Sequence, residues 1–238
     1  CTQAATFECG GLYYTTTSAN SVAVARVPAE KATNNPYKGV YIIPEQVYYD
    51  GANYQVTAIA DSAFFQSKAT EVQVPNTVTT IGECAFAYAT DLANITLPLH
   101  LKDVSKMLLA GTNVVNVAVP EGVKTIGWGA FQSCPMLHTM LLPSTTKRID
   151  AYGYNNCHNL FEIYCAAPTA PEASGWAIFI GLSGIDVIVP DDDAVAKYAA
   201  NAVWGDESTF TLYPSEEVSI SMTGEVEKYN DHYMRFAL

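Results

Sequence analysis

Prolines that follow an aliphatic residue recur at a nearly constant spacing through the middle of the chain. The pairs are Val74-Pro75, Leu97-Pro98, Val119-Pro120 and Leu142-Pro143, so the prolines stand 23, 22 and 23 residues apart. A self-similar period in the twenties is typical of a solenoid, in which each repeat is one coil that cannot bury its apolar side alone. The spacing therefore predicts stacked coils.

Each repeat also places a large apolar residue five positions after an aliphatic one. The large residues of five successive repeats are Phe64, Phe86, Leu109, Phe131 and Tyr154. Equivalent inward positions of stacked coils superimpose, so these side chains are predicted to form one continuous buried column.

The end of each repeat has the alternation of a strand with one buried face. Ile95 and Leu97 are apolar and Thr96 between them is polar, which is the two-residue period of a strand. Pro98 then ends the strand, because proline has no backbone N–H to donate to a ladder. We expect one such strand in every coil.

The repeats resemble a known family. "IGECAFAYATDLANITLP" and "IGWGAFQSCPMLHTMLLP" are similar to the BspA-type leucine-rich repeats of bacterial surface proteins, and the flanking segments resemble those of Bacteroidetes members. The resemblance spans roughly residues 40–214 and departs from the family pattern at Leu108-Leu109, which replaces Ala-Phe. It implies an exported, often cell-surface, protein with no known catalytic residues. Some relatives are adhesins.

The predicted fold is mainly β with short helices, arranged as a leucine-rich-repeat solenoid of about six coils with a cap at each end. The expected parts are a strand-rich N-terminal cap (1–50), the solenoid (51–190), a C-terminal cap with a short helix (191–214) and an unplaced tail (215–238).

Composition excludes several kinds of partner. The net charge of −12 argues against nucleic acid, which requires clustered positive charge, and against docking on anionic lipid. The sequence has no run of 18 apolar residues that would span a membrane. Cys1 is a candidate lipid-bearing first residue of a mature lipoprotein, and an arbitrary chain boundary is the alternative. Mass spectrometry of the native N terminus for a diacylglyceryl adduct distinguishes them.

Two cysteines occupy the same position in neighbouring repeats. Cys134 and Cys157 each follow the large apolar residue of their repeat by three positions. Stacked coils lie about 4.8 Å apart, which is within the range of a disulfide. A bridge and a pair of buried free thiols both remain open, with free thiols favoured.

Candidate chemical sites are few. Asp191, Asp192 and Asp193 could bind calcium, but they lack the spacing of a calcium loop and are explained by capping of a predicted helix. That helix is expected to present Val195, Tyr198 and Ala199 as its apolar stripe, with Trp204 and Phe210 beneath it. The four histidines lack metal-ligand spacing, and no nucleophile motif is present. The sequence therefore predicts no enzyme, no metal and no cofactor.

The outward face of the strands is the predicted ligand-binding surface. Positions two before each proline become less polar along the chain, ending in Leu141, Tyr164 and Ile188. The column three residues earlier includes His138 and Phe161 and ends at Ile185. Exposed apolar patches mark binding surfaces. A host or extracellular protein is the ligand that the resemblance implies. The alternative is that the cap helix or the tail covers these apolar residues.

The sequence is compatible with two other functions. The first is binding of a carbohydrate or mucin, in which Tyr164 and Phe161 would stack on sugar rings. The second is a structural spacer whose repeats display another module. The identity of the ligand and the oligomeric state do not follow from the sequence.

Overall fold

The computed structural model describes residues 5–31, 35–175 and 177–215. The strands in this part of the chain are β1 (Thr6–Cys9), β2 (Leu12–Thr16), β3 (Ser21–Ala25), β4 (Lys38–Ile42), β5 (Gln46–Tyr49), β6 (Ala52–Ile59), β7 (Lys68–Gln73), β8 (Thr80–Ile81), β9 (Asn94–Thr96), β10 (Asn116–Ala118), β11 (Thr125–Ile126), β12 (Thr139–Leu142), β13 (Arg148–Asp150), β14 (Glu162–Cys165), β15 (Glu172–Ser174), β16 (Ile185–Val189) and β17 (Phe210–Pro214). The same part of the chain contains one α-helix, α1 (Asp192–Ala199), between β16 and β17. This helix is too short and too polar to be a membrane span, and the same part of the chain holds no other candidate.

The N-terminal residues form a sheet of their own that leads into the coils. Its strand order is β1-β2-β3-β6-β5, and β1 also contacts β5, so the sheet curls toward closure. The ring of Phe7 stacks on Tyr49 across this junction, with centroids 3.9 Å apart. The end of β6 belongs to the first coil and pairs in parallel with β8 of the second coil, which connects this sheet to the solenoid.

One strand from every coil contributes to a parallel row that forms one side of the solenoid. The row consists of two sheets, β4-β7-β9 and β10-β12-β14-β16-β17, and β9 contacts β10. A second row on another side contains β11, β13 and β15. The first row starts at β4, within residues 1–50. The mainly β solenoid predicted from the repeat is therefore confirmed.

Aromatic and aliphatic side chains fill the axis of the solenoid. The predicted column of Phe64, Phe86, Leu109, Phe131 and Tyr154 is fully buried. Its rings stack between neighbouring coils, with centroid distances of 5.1 Å for Phe64 and Phe86 and 5.4 Å for Phe131 and Tyr154. The structure extends the column at both ends, because Tyr37 packs 4.9 Å from Phe64 and Phe179 packs 5.5 Å from Tyr154.

The column residues belong to a turn in each repeat, and every such turn has two residues in the left-handed backbone conformation. They lie two positions before and two positions after the column residue. The first position holds Ser62, Cys84, Met107, Gly129, Tyr152 and Ala177, and the second holds Gln66, Tyr88, Gly111, Ser133, Asn156 and Gly181, all with positive φ. In the first coil, the N–H groups of Ser62, Phe64 and Gln66 donate to carbonyls of the second coil at 3.0, 2.7 and 3.0 Å. The turn thus continues the stack by hydrogen bonds.

Asn35 terminates this hydrogen-bond ladder at its N-terminal end. Its side-chain Nδ2 donates to the carbonyls of Ala63 and Phe65 at 2.9 and 3.2 Å. The equivalent carbonyls of the next coil, those of Ala85 and Ala87, accept from backbone N–H groups of the preceding coil. One buried amide therefore takes the place of a missing coil.

Helix α1 and the residues after it cover the C-terminal end of the column. Asp191 caps the helix, accepting a hydrogen bond from the Ala194 N–H at 2.8 Å. Trp204 is fully buried, and its ring lies 5.3 Å from that of Phe179. The stripe expected on the helix is wrong in part. The helix buries Ala194 and Tyr198, whereas Val195 is only partly buried and Ala199 is exposed.

Removing one ring from the column should destabilise the stack strongly. Phe131 is fully buried between Leu109 and Tyr154, so Phe131→Ala leaves a cavity shared by neighbouring coils. We expect a loss of about 3 to 5 kcal/mol in the free energy of unfolding, measured by chemical denaturation. Phe161→Ala is the control, because that ring is half exposed. A loss well below 1 kcal/mol for Phe131→Ala would contradict the stacked column.

Asn35→Ala tests whether the end of the ladder needs its cap. The substitution leaves two carbonyls in a buried region without their donor, which should cost about 1 to 3 kcal/mol. The matched control is Asn94→Ala on the exposed surface of β9. Equal stability of the two variants by the same measurement would show that water replaces the amide.

Candidate binding surface on the strand face

The strand register brings three of the predicted ligand-binding residues into one row. Leu141 of β12 lies beside Tyr164 of β14, and Tyr164 lies beside Ile188 of β16. Tyr213 of β17 continues the row beyond Ile188, and Ala118 of β10 precedes Leu141. All of these side chains point away from the solenoid axis because the inward positions alternate with them.

The row is apolar and has little accessible surface. Leu141, Tyr164 and Ile188 are 5%, 6% and 6% exposed, and they form a small cluster separate from the main core. Tyr213 at the end of the row is 43% exposed. The alternation that placed the three residues on one face is correct, and their direct access to a ligand is small.

His138 and Phe161 supply the accessible part of the predicted site. Each residue lies just before its strand, on neighbouring coils, and the two rings approach to 5.4 Å with a tilt of 44°. Phe161 is 49% exposed and His138 is partly buried. Ile185, which the same column predicted to be on the surface, belongs to the main core and is fully buried, so that expectation was wrong.

The N-terminal end of the strand face is also apolar, which sequence reasoning missed. Ile42 of β4 lies beside Gln73 of β7, and Gln73 lies beside Thr96 of β9. Ile42 is 69% exposed. Its strand precedes the first complete repeat, so the period in the sequence gave no reason to include it. Polarity along the face therefore peaks in the middle rather than falling steadily.

The acidic triplet at the start of α1 acts within the helix. Asp191 is the N-cap, and Asp193 forms an ion pair with Lys197 one turn later. Among the residues that the structure describes, no group of three or more histidine, cysteine or acidic side chains is arranged to hold a metal ion. Helix capping accounts for this sequence feature.

Cys134 and Cys157 are free thiols in the structure. Cys134 donates to the carbonyl of Leu109 at 3.1 Å, and Cys157 donates to that of Phe131 at 2.9 Å. Each thiol therefore bonds to the column residue of the preceding coil. The contact with Cys134 and burial raise the pKa of the Cys157 thiol well above its usual value. Cys1 and residues 216–238 lie outside the described residues.

The repeats match a known family. The BspA type leucine rich repeat region matches residues 57–170 in six copies. Residues 57–170 are therefore a leucine-rich-repeat region of the BspA type, as the sequence motifs indicated. No curated protein matches the sequence.

Solved bacterial structures share the fold. A leucine-rich-repeat protein of T. pallidum is 24% identical with a TM-score of 0.52, covering 63% of this chain and 65% of its own. The pneumococcal vaccine antigen PcpA is 14% identical with a TM-score of 0.55, covering 79% of this chain and 46% of its own. The present chain thus spans less than two thirds of either protein.

Native alkylation should separate the cysteines by burial. Iodoacetamide at pH 8 is expected to modify Cys9 and, more slowly, Cys84, because both are partly exposed and burial raises the pKa of the Cys84 thiol. Cys134, Cys157 and Cys165 should stay unmodified until the protein is denatured, because all three are buried. Mass spectrometry of the digest gives the readout. A disulfide-linked peptide containing Cys134 and Cys157 in the unreduced digest would contradict the free-thiol state.

Proposed function

We propose that this protein is a non-catalytic binding module, exported to the bacterial surface or beyond, that recognises a protein ligand through the strand face of its solenoid. The observation that carries the proposal is the half-exposed ring of Phe161 against His138. The two rings lie just before the strands that carry Tyr164 and Leu141. Aromatic side chains anchored next to apolar surface are the usual energetic centres of protein interfaces.

The contact with His138 supports an anchoring role for Phe161. A ring that already packs against a neighbouring side chain loses less conformational freedom when a ligand covers it, so more of the contact energy becomes affinity. His138 packs against the same ring and adds a hydrogen-bonding group at its rim. Adhesion is the specific role that this arrangement supports best.

The family gives the proposal its setting. Repeats of the BspA type resemble those of bacterial surface proteins, and a pneumococcal vaccine antigen has the same fold. We infer export on this basis, with an extracellular or host protein as the partner. The chain's net charge of −12 favours a partner that is basic where it meets the protein.

Direct binding to immobilised extracellular-matrix proteins tests the proposal. The wild-type chain is compared with Phe161→Asp, which places a charge where the ring would be covered. We expect Phe161→Asp to weaken binding by at least about tenfold, which corresponds to about 1.4 kcal/mol. The lower affinity would appear mainly as a faster dissociation rate, measured by biolayer interferometry.

Tyr48→Asp is the matched control, because Tyr48 is a 65% exposed aromatic residue in the N-terminal sheet rather than on the strand face. Both variants must retain the wild-type unfolding midpoint. Binding that survives in Phe161→Asp, or that both variants lose equally, would contradict a strand-face site. Binding to mucin glycans alone, lost in Phe161→Asp, would replace the protein ligand by a carbohydrate.

A further inference from the structure

Two aromatic rings lie side by side on the turn side of the solenoid, away from the strand face. Trp128 belongs to the fourth coil and Tyr152 to the fifth, and their ring centroids are 5.3 Å apart with a tilt of 55°. Trp128 is 38% exposed and Tyr152 is partly exposed. An exposed tryptophan is uncommon on a protein surface, and here it is paired with a tyrosine.

The fold does not require either ring. At the position of Trp128 the first, second, third and fifth coils have Asp61, Glu83, Lys106 and Ala151, and at that of Tyr152 the first four coils have Ser62, Cys84, Met107 and Gly129. These residues have the same backbone role, because Ser62 and Tyr152 adopt nearly the same left-handed φ, 56° and 62°. Charged and small side chains therefore satisfy the turn, and the two rings are additional to it.

The surrounding structure holds Trp128 in place. The Met107 N–H donates to the Trp128 carbonyl at 2.9 Å, which fixes its backbone to the preceding coil. The Lys106 ammonium lies 5.6 Å from the centre of the Trp128 ring. Tyr152 packs against the Trp128 ring from the following coil. Such a platform is ordered before a ligand arrives, which lowers the entropic cost of binding.

We propose that Trp128 and Tyr152 form a carbohydrate-binding platform for a neutral hexose or N-acetylhexosamine residue. The apolar C–H face of a sugar ring can pack on the exposed aromatic faces, while Lys106 and the Tyr152 hydroxyl offer hydrogen bonds to sugar hydroxyls. An aromatic surface with a small number of polar groups around it is the usual composition of a small-ligand site.

The charges nearby favour a neutral sugar over an acidic one. Glu83 occupies the position of Lys106 in the preceding coil, and the charges of both residues act on the thiol of Cys84. The Glu83 carboxylate therefore offsets the Lys106 ammonium, which disfavours selection of a sialylated or sulfated glycan.

Saturation-transfer NMR on the full chain tests the platform with maltotetraose, cellotetraose and N-acetylchitotetraose as probes. We expect ring-proton signals from at least one probe, and a loss of about tenfold or more in affinity for Trp128→Ala. Trp128→Phe keeps an aromatic face and should restore part of the signal. Tyr48→Ala is the matched control, because its 65% exposed ring lies in the N-terminal sheet, and Phe161→Ala tests the strand face separately.

Four outcomes would overturn the inference. They are no signal from any of the three probes, a signal that Trp128→Ala leaves unchanged, a signal that Phe161→Ala removes, and weaker binding of Trp128→Ala to matrix proteins without any saccharide signal. The third would move the glycan to the strand face, and the last would make the platform a protein contact. If Trp128→Ala unfolds, Trp128→Phe is used in its place. A saccharide signal equal to that of the wild-type chain would then contradict the role of Trp128, and a weakened signal would support it.

Discussion

The left-handed residues of the turn are the constraint on which the rest of this structure depends. Every coil has two of them, and nine of the twelve positions hold residues other than glycine. A left-handed conformation costs a non-glycine residue about 1 to 2 kcal/mol. The hydrogen bonds to the next coil and the burial of the column residue offset that cost, so a coil is stable only when it has neighbours.

This dependence explains why the two ends are built differently from the middle. At the N-terminal end, the amide of Asn35 supplies the donors that a preceding coil would have supplied. At the C-terminal end, Trp204 covers the exposed face of Phe179, and its indole N–H donates to the carbonyl of Pro171 at 2.9 Å. A side-chain amide at one end and a buried indole at the other thus each replace the contacts that a further coil would make.

The sequence predicts the features that depend on which side chains are apolar. The period, the buried column and the strand after each turn follow from that pattern alone. Phe179 was missed because Ala173 replaces the aliphatic residue and stands six positions before it rather than five. The left-handed turns left no signal, because residues such as Met107 and Tyr152 occupy positions where glycine would have marked them.

The candidate site shows the same limit. Alternation along a strand gives the direction of a side chain, and it correctly grouped Leu141, Tyr164 and Ile188. Accessibility depends on what packs over the sheet, which the period of a repeat does not contain. Trp128 and Tyr152 occupy variable turn positions, so only their closeness in space distinguishes them from single surface aromatics.

Both proposed binding surfaces lie on the same two coils, so ligand recognition is independent of the length of the solenoid. Trp128 and His138 lie on the fourth coil, and Tyr152 and Phe161 lie on the fifth. Contacts run only between neighbouring coils, so a coil inserted elsewhere would move the ends apart by about 4.8 Å and leave this pair intact. The number of repeats can therefore change the distance between the ends of the protein. The geometry of the two binding surfaces on coils four and five stays constant.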